Sequence, residues 1–219
     1  MKTILEFLQE LTQNNTRDWF ESHKDLYEAA KKEQIDFLNL LLPKISAFEP
    51  AYSHLQPKNC IFRIYRDIRF SKDKTPYKDH FGMYFEQGGK QSIKAGYYLH
   101  IQADNKSFLG GGMYMPDADS LRKIRQEIDY NREKFHQIIE NADFVKYYGQ
   151  LSEEQKLKKA PKGYPINHPD IEILKLKGFF TTHALTDDQV KKEDFADYAS
   201  KVFEILKPLN DFLNEAVSS

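Results

Sequence analysis

The sequence predicts an α+β fold: one antiparallel sheet of four to five strands, over about residues 60–115 and possibly 179–185, with helices before and after it. Three observations carry this expectation. Apolar residues near the N-terminus recur at three- and four-residue spacing, the signature of amphipathic helices. From about 60 to 115 the period drops to two, and the links between runs are short enough to force antiparallel neighbours. Helical spacing then returns after "MPDADS". A chain of 219 residues suits a single domain over 1–219 and can bury a core without covalent staples.

Taken in order, Ile4, Leu5, Leu8 and Leu11 open the chain as a short helix, which "TQNNT" interrupts. Asn15 is placed to cap the next helix, with Asp18 in its first turn, where a negative charge suits the macrodipole. Trp19, Leu26, Ala30, Phe37, Leu38, Leu41 and Ile45 mark a long buried stripe, with Pro43 near its end. "FRIYRDIRF", "HFGMYFEQ", "GYYLHIQA" and "SFLGGGMY" then read as four strands, joined by "QGGKQSIK" and "DNK" as hairpin connections. The glycines of "LGGGMY" mark a bulge or a close backbone approach rather than a nucleotide fingerprint. Asp117 or Asp119 starts a helix with Leu121, Ile124 and Ile128 inside, and a further helical stretch covers Phe135 to about Tyr148. "LKKAPKGYPINHP" reads as a long ordered loop, and "DIEILKLKG" as a short helix stopped by Gly178. "FFTTHAL" is the possible fifth strand, Thr186 with Gln189 forms a capping box, and Pro208 kinks or splits the last helix.

Composition narrows the function classes. Forty per cent hydrophobic residues with fourteen per cent aromatics describe an ordered chain. A formal net charge of −1 means that any polyanion must be met by a local patch. One cysteine, Cys60, excludes an intramolecular disulfide and a cysteine-rich zinc site, and suits a reducing compartment. No signal-like segment opens the sequence, and no apolar run reaches membrane-spanning length, so a cytoplasmic protein without a membrane partner is expected.

The local patch is in "RIYRDIRFSKDKTPYK". Between Arg63 and Lys78 it carries six basic residues against two acids. Alternation places Phe62, Ile64, Arg66, Ile68 and Phe70 on one face of the first strand, and Arg63, Tyr65, Asp67 and Arg69 on the other. Phe81, Met83 and Phe85, then Tyr97, Leu99 and Ile101, make apolar rows for the helices to cover. His80, Tyr84 and Glu86, then Tyr98, His100 and Gln102, face the opposite way. The sheet thus has a side lined by Arg63, Tyr65, Arg69, Tyr84, Tyr98 and His100. Arginine and tyrosine combine flat apolar area with fixed donors, as binding surfaces do. The competing reading is that a helix or the 158–170 loop covers this side and the tyrosines are core. Arg66, alone in the apolar row, calls for a structural ion pair with Asp73, Asp79 or Glu86. Pro76 stiffens the turn that follows, so Lys72, Lys74 and Lys78 beside Arg69 can present donors at low entropic cost. Arg63 and Arg69 lie about 20 Å apart if the strand is straight, too far to grip one phosphate.

Those residues also carry a resemblance. "RIYRDIRFSKDKTPYK" resembles the signature of a family catalogued as domain of unknown function 2461, and "GYYLHI", "FLGGGMYMP" and "KKAPKGYPINHPDIEILKLKGF" follow in the same order. The resemblance implies a single α+β domain and points to the site. It implies no settled activity, cofactor or catalytic residue.

No metal-ligand spacing occurs among the seven histidines, and no Walker loop, dinucleotide fingerprint or nucleophile elbow is present, so neither a metal nor a cofactor is expected. His100, Asp67 and Tyr98 share one face as acid–base candidates. Three readings of the patch stand side by side. The first is a site for a phosphorylated or carboxylated small molecule, with Arg63, Arg69, Lys72, Lys74 and Lys78 on the anion and Tyr65, Tyr84, Tyr98 and His100 lining the pocket. The second is a single-stranded nucleic-acid module, disfavoured by the near-neutral charge. The third is an ion-pair scaffold with no ligand.

Overall fold

The computed structural model describes residues 1–218. Its helices are α1 (Lys2–Gln13), α2 (Arg17–Ser22), α3 (Lys24–Phe48) and α4 (Pro57–Cys60) before the first three strands, then α5 (Ala118–Tyr130), α6 (Arg132–Ile139), α7 (Ala142–Tyr148), α8 (Ile171–Leu174), α9 (Asp187–Val190), α10 (Phe195–Ile205) and α11 (Lys207–Ser218). Strands β1 (Phe81–Phe85), β2 (Gly96–Ile101), β3 (Ser107–Met113) and β4 (Phe179–Leu185) form one antiparallel sheet in the order β1-β2-β3-β4. The fold is α+β, as the change of period implies. Among the described residues, no helix is long and apolar enough to cross a membrane.

Contacts group the chain into two compact units. The first comprises Met1–Ser92, Tyr98–Leu109 and Ala184–Glu204. Its core starts from α1, whose Ile4, Leu5, Phe7, Leu8 and Leu11 are buried at helical spacing. A Glu33 carboxylate on α3 accepts from the Ile4 N–H at 2.8 Å and satisfies one of the donors that a helix start leaves open. Phe7, Phe20, Tyr27 and Phe81 make an aromatic cluster, and Phe37 stacks on Phe195 at 5.4 Å. Thr16, not Asn15, caps α2, accepting from the Trp19 N–H. Asn15 is engaged elsewhere: its amide exchanges two hydrogen bonds with the Tyr77 backbone, at 3.0 and 3.1 Å, as a strand neighbour would. Trp19 is half-buried, and Phe20 takes the buried position beside it.

The second unit comprises Ile93–Tyr97, Gly110–His183 and Ile205–Ser219. Asp117 caps α5 by accepting from the Ser120 N–H at 2.8 Å, and Ile124 and Ile128 are its buried face. Phe135 of α6 meets Phe212 of α11 at 5.2 Å. The helical stretch expected over 135–148 divides at Asn141, whose side chain caps α7. Gly178 does not stop α8, which ends at Leu174. It serves instead a close backbone crossing, where a Cβ would lie 2.3 Å from the Tyr114 carbonyl oxygen. The β3 glycines do the same work. A Cβ on Gly112, at φ +106°, would lie 2.2 Å from the Phe179 carbonyl oxygen, so β3 and β4 approach closely only because no side chain intervenes.

The structure departs from the sequence expectation at one strand. Residues 62–70 do not form a strand, and the fourth strand of the sheet is 179–185. The outgoing arm meets the returning chain through two isolated antiparallel bridges, Ile61 with Met83 and Tyr65 with Tyr77. Backbone bonds Phe62 N–H to Gly82 O, Lys78 N–H to Ile64 O and Arg66 N–H to Pro76 O hold it there. Between the two bridges the returning arm is two residues longer than the outgoing one, so it bulges around Asp79 and His80 and the ladder is interrupted. Past Arg66 the alternation fails altogether. Phe70, expected in the apolar row, is 95% exposed. The tip is shaped by local carboxylates instead: Asp73 accepts from the Thr75 N–H and hydroxyl, and Asp67 accepts from the Arg69 N–H and guanidinium.

Candidate functional site

The rows expected to be apolar are buried: Phe81, Met83 and Phe85 on β1, and Tyr97, Leu99 and Ile101 on β2. The opposite face of β1 and β2 within the first unit carries the polar groups. Gly82 leaves room there for the Tyr98 side chain, since a Cβ on it would lie 2.7 Å from the Tyr98 hydroxyl. His100 is the centre of this face. Its ring lies between His80, at 4.2 Å, and Phe108, at 4.6 Å and nearly parallel to it.

A single run of hydrogen bonds links these groups and sets a direction. Tyr98 Oη approaches His100 Nδ1 at 3.3 Å, and His100 Nε2 is 2.9 Å from Gln102 Oε1. Gln102 Nε2 donates to Asp79 Oδ2 at 2.9 Å, and His80 Nδ1 lies 2.9 Å from Asp79 Oδ1. Because the Gln102 amide nitrogen points at a carboxylate, its oxygen faces His100. His100 therefore carries its proton on Nε2 and accepts from Tyr98 on Nδ1. Every donor in the run leads to Asp79. Burial pushes His100 down to about 4, with its Gln102 bond opposing, so the ring is neutral at physiological pH. Burial likewise pushes the Tyr98 hydroxyl up to about 12, and raises Tyr84 with help from Glu86. Burial opposes the Asp79 carboxylate, but the His80 bond and charge outweigh it and hold its pKa below the usual range.

Next to this network stands Lys78, which makes no ion pair with a carboxylate among the described residues, and beside it Arg63, whose charge acts on both Lys78 and Asp67. Arg63 is exposed. Lys78 is half-buried, with its ammonium 5.5 Å from the Phe62 ring centroid, and Phe62 in turn lies 6.4 Å from Tyr98. Burial and then the nearby Arg63 charge lower the Lys78 pKa. The other basic residues are differently placed. Arg69 is 76% exposed and gives two guanidinium bonds to Asp67, at 2.9 and 2.7 Å. Lys74 donates to the Ile68 carbonyl at 2.9 Å, and Lys72 is exposed. Arg66 makes its ion pair with Asp73 and also bonds Thr75, but it sits at the turn with a quarter of its side chain exposed rather than in the apolar row. Thr75 first and Arg66 second hold the Asp73 carboxyl down at about 2.

The structure thus brings together Arg63, Lys78, Tyr98 and His100 of the sequence-derived set, with Tyr84 on the same side of β1 as Gly82 by parity. It separates Tyr65, which packs on Tyr77 at 5.4 Å and Phe20 at 6.1 Å. Asp67 faces Arg69 and takes no part in the His100 network. The sequence offers Asp79 only as a partner for Arg66 and places Phe62 in the apolar row, but the structure puts Phe62 beside Tyr98 on the polar face, because the arm meets β1 through isolated bridges and not as a regular strand. The bulge before β1 is what turns Asp79 towards Gln102, and simple alternation cannot foresee it. Cys60 is fully buried and its thiol is pushed up to about 12, so it offers no nucleophile.

The family model described as a conserved hypothetical protein, DUF2461, matches residues 3–212. No curated protein and no solved structure matches the chain.

Proposed function

Because the chain belongs to the DUF2461 family of conserved hypothetical proteins, a name that specifies no reaction, we propose its function from the site: it binds a small molecule bearing a phosphate or carboxylate, with Arg63 and Lys78 on the anion. Phe62 and Tyr98 supply an apolar wall for the rest of the ligand. The carrying observation is Lys78, a half-buried ammonium beside a second cation, Arg63, and without an ion pair to a carboxylate among the described residues. Burying a charge without a partner is costly, and such an arrangement persists where an anion repays it. Arg69 and Lys74 would have to leave Asp67 and the Ile68 carbonyl to join, so they contribute less than Arg63 and Lys78. Lys72 is a further exposed donor at the turn. A lone buried cysteine suits a cytoplasmic setting for this activity.

Two measurements test the reading. In the absence of ligand, Lys78→Met should raise the stability by about 0.5–1 kcal/mol, since it removes a poorly compensated charge and keeps the stem on Phe62. Lys78→Met and Arg63→Ala should each weaken the binding of phosphate esters in calorimetric titrations at least about tenfold, as loss of a charge-assisted contact does. Destabilisation by Lys78→Met, with unchanged binding, would make Lys78 a structural residue. Titrations at two salt concentrations separate ligand classes: a small phosphate ester should show a shallow dependence, and a single-stranded oligonucleotide a steep one.

A further inference from the structure

We propose that His80, oriented by Asp79, is a general base facing the anion site, and that the protein hydrolyses an ester of the phosphate or carboxylate it holds. The inference rests on the anion-binding reading above. It starts from which ring nitrogen is free. His80 Nδ1 is committed to Asp79 Oδ1 at 2.9 Å, so as the neutral ring it donates there and leaves the lone pair on Nε2. His80 Nε2 makes no hydrogen bond, and it does not appear among the buried side-chain atoms that lack a partner, so it reaches solvent. About a quarter of the side chain is exposed, while one ring face is covered by His100.

Asp79 itself is doubly fixed, by His80 on one oxygen and by Gln102 on the other. A carboxylate held this way locks the imidazole tautomer and stabilises the imidazolium that forms when Nε2 takes a proton. Gln102 in turn is fixed by His100, and His100 by the rings on either side. His100 is kept neutral and its two nitrogens are occupied, so it positions Gln102 and does not transfer protons. The first residue of the tripeptide Lys78–Asp79–His80 supplies an anion contact and the last supplies the base. Contacts from Lys78 to Phe62, Phe62 to Tyr98, Tyr98 to His100 and His100 to His80 tie the two ends to one face.

No serine, threonine or thiol nucleophile takes part in this network: Ser107 is buried and bonded to Gln102 backbone, and Cys60 is buried. The nucleophile is therefore water. Its proton passes to His80 Nε2 as its oxygen bonds to the ester carbon or phosphorus. The alkoxide or phenolate then leaves, and takes up that proton to give the alcohol. Water and ester are consumed, acid and alcohol are formed, and no oxidant or metal is required.

The test uses the full chain with p-nitrophenyl phosphate and p-nitrophenyl acetate as probes, and calorimetry with inorganic phosphate and acetate in parallel. Release of p-nitrophenolate above the buffer rate is expected with at least one probe. His80→Asn keeps a donor to Asp79 and deletes Nε2, so it should lower turnover at least about 100-fold, the usual share of a general base. It should leave anion binding within a factor of two. In His80→Gly, added imidazole should restore part of the rate, which a purely structural histidine would not show. Anion binding with no release of p-nitrophenolate from either probe overturns the proposal and leaves the binding function standing. Turnover that survives in folded His80→Asn also overturns it. Absence of anion binding, by contrast, defeats the reading on which the proposal rests.

Discussion

Gly112→Ala is expected to destabilise the protein by about 3 kcal/mol or more, the sum of two costs of about 1–3 kcal/mol each. One is conformational: Gly112 sits at φ +106°, where side chains are rarely accommodated. The other is steric: the new Cβ would meet the Phe179 carbonyl oxygen at 2.2 Å and the Phe180 Cα at 2.7 Å. Backbone atoms cannot step aside as a flexible side chain does, so β3 and β4 must separate. Gly163 is the internal control, because it too has positive φ, at +95°, but nothing within 4 Å of its Cβ position. Gly163→Ala should cost only about 1–2 kcal/mol. Chemical denaturation of both variants decides the matter, and equal losses would mean that conformation alone explains Gly112.

Asp170→Ala is expected to cost about 3 kcal/mol, because it removes a buried carboxylate on which two cationic side chains converge. Asp170 is 3% exposed and accepts from Arg132 at 2.6 Å and His136 at 2.7 Å. Its backbone N–H also binds His168 Nδ1, whose other nitrogen reaches Asp129, so the end of the proline-rich loop is pinned at several points. The cluster gives stability a defined pH dependence. Burial would raise the Asp170 pKa, but His136 and Arg132 more than offset this and hold it below the usual range. Its contribution is therefore present above about pH 4 and is lost as pH falls through the lowered folded value. His136 is raised, chiefly by its Glu140 bond, against burial, and then by Asp170. Its contribution is present below about pH 6.5 and is lost as pH rises through the raised folded value. The stability that wild type holds over His136→Gln should thus be largest between about pH 4 and 6.5 and shrink towards pH 8.5. A difference that grows with pH would show that His136 is held neutral. Limited proteolysis between Lys156 and His168 provides a second check, since Asp170→Ala should speed cleavage there.

Much of the fold could be read directly because burial imposes period. Phe81, Met83, Phe85, Leu99 and Ile101 alternate, and every one of them is buried. Thr186 and Gln189 are three residues apart, and they form the reciprocal cap that this spacing allows. Reading failed where short polar contacts override alternation. From Asp67 to Thr75, pairs two residues apart satisfy one another, and the chain has no need of a neighbouring strand. Phe70 looks like a core residue only if that stretch is extended. The site was legible in its ends and not in its middle. Arg63 and Lys78 follow from charge, and His80, Tyr98 and His100 from parity, whereas the turn of Asp79 towards Gln102 depends on the bulge before β1. A bulge leaves no mark in composition, and alternation does not foresee how it turns the residues within it.

The interrupted arm has a bearing on how the chain behaves in a crowd of copies of itself. An outermost strand with a regular row of open N–H and C=O groups is a template for another molecule's strand. On β1 that row is partly occupied by the 61–66 arm, through bonds such as Phe62 N–H to Gly82 O, and it is broken by the bulge. On β4 the Phe180 carbonyl is taken by the Ser152 N–H, and the Thr181 hydroxyl reaches the Gln150 carbonyl. Each margin is thus interrupted at these points. The arm is the weaker guard, with two bridges and a solvent-exposed tip, so the β1 margin is where edge-to-edge self-association would begin once the arm is loosened.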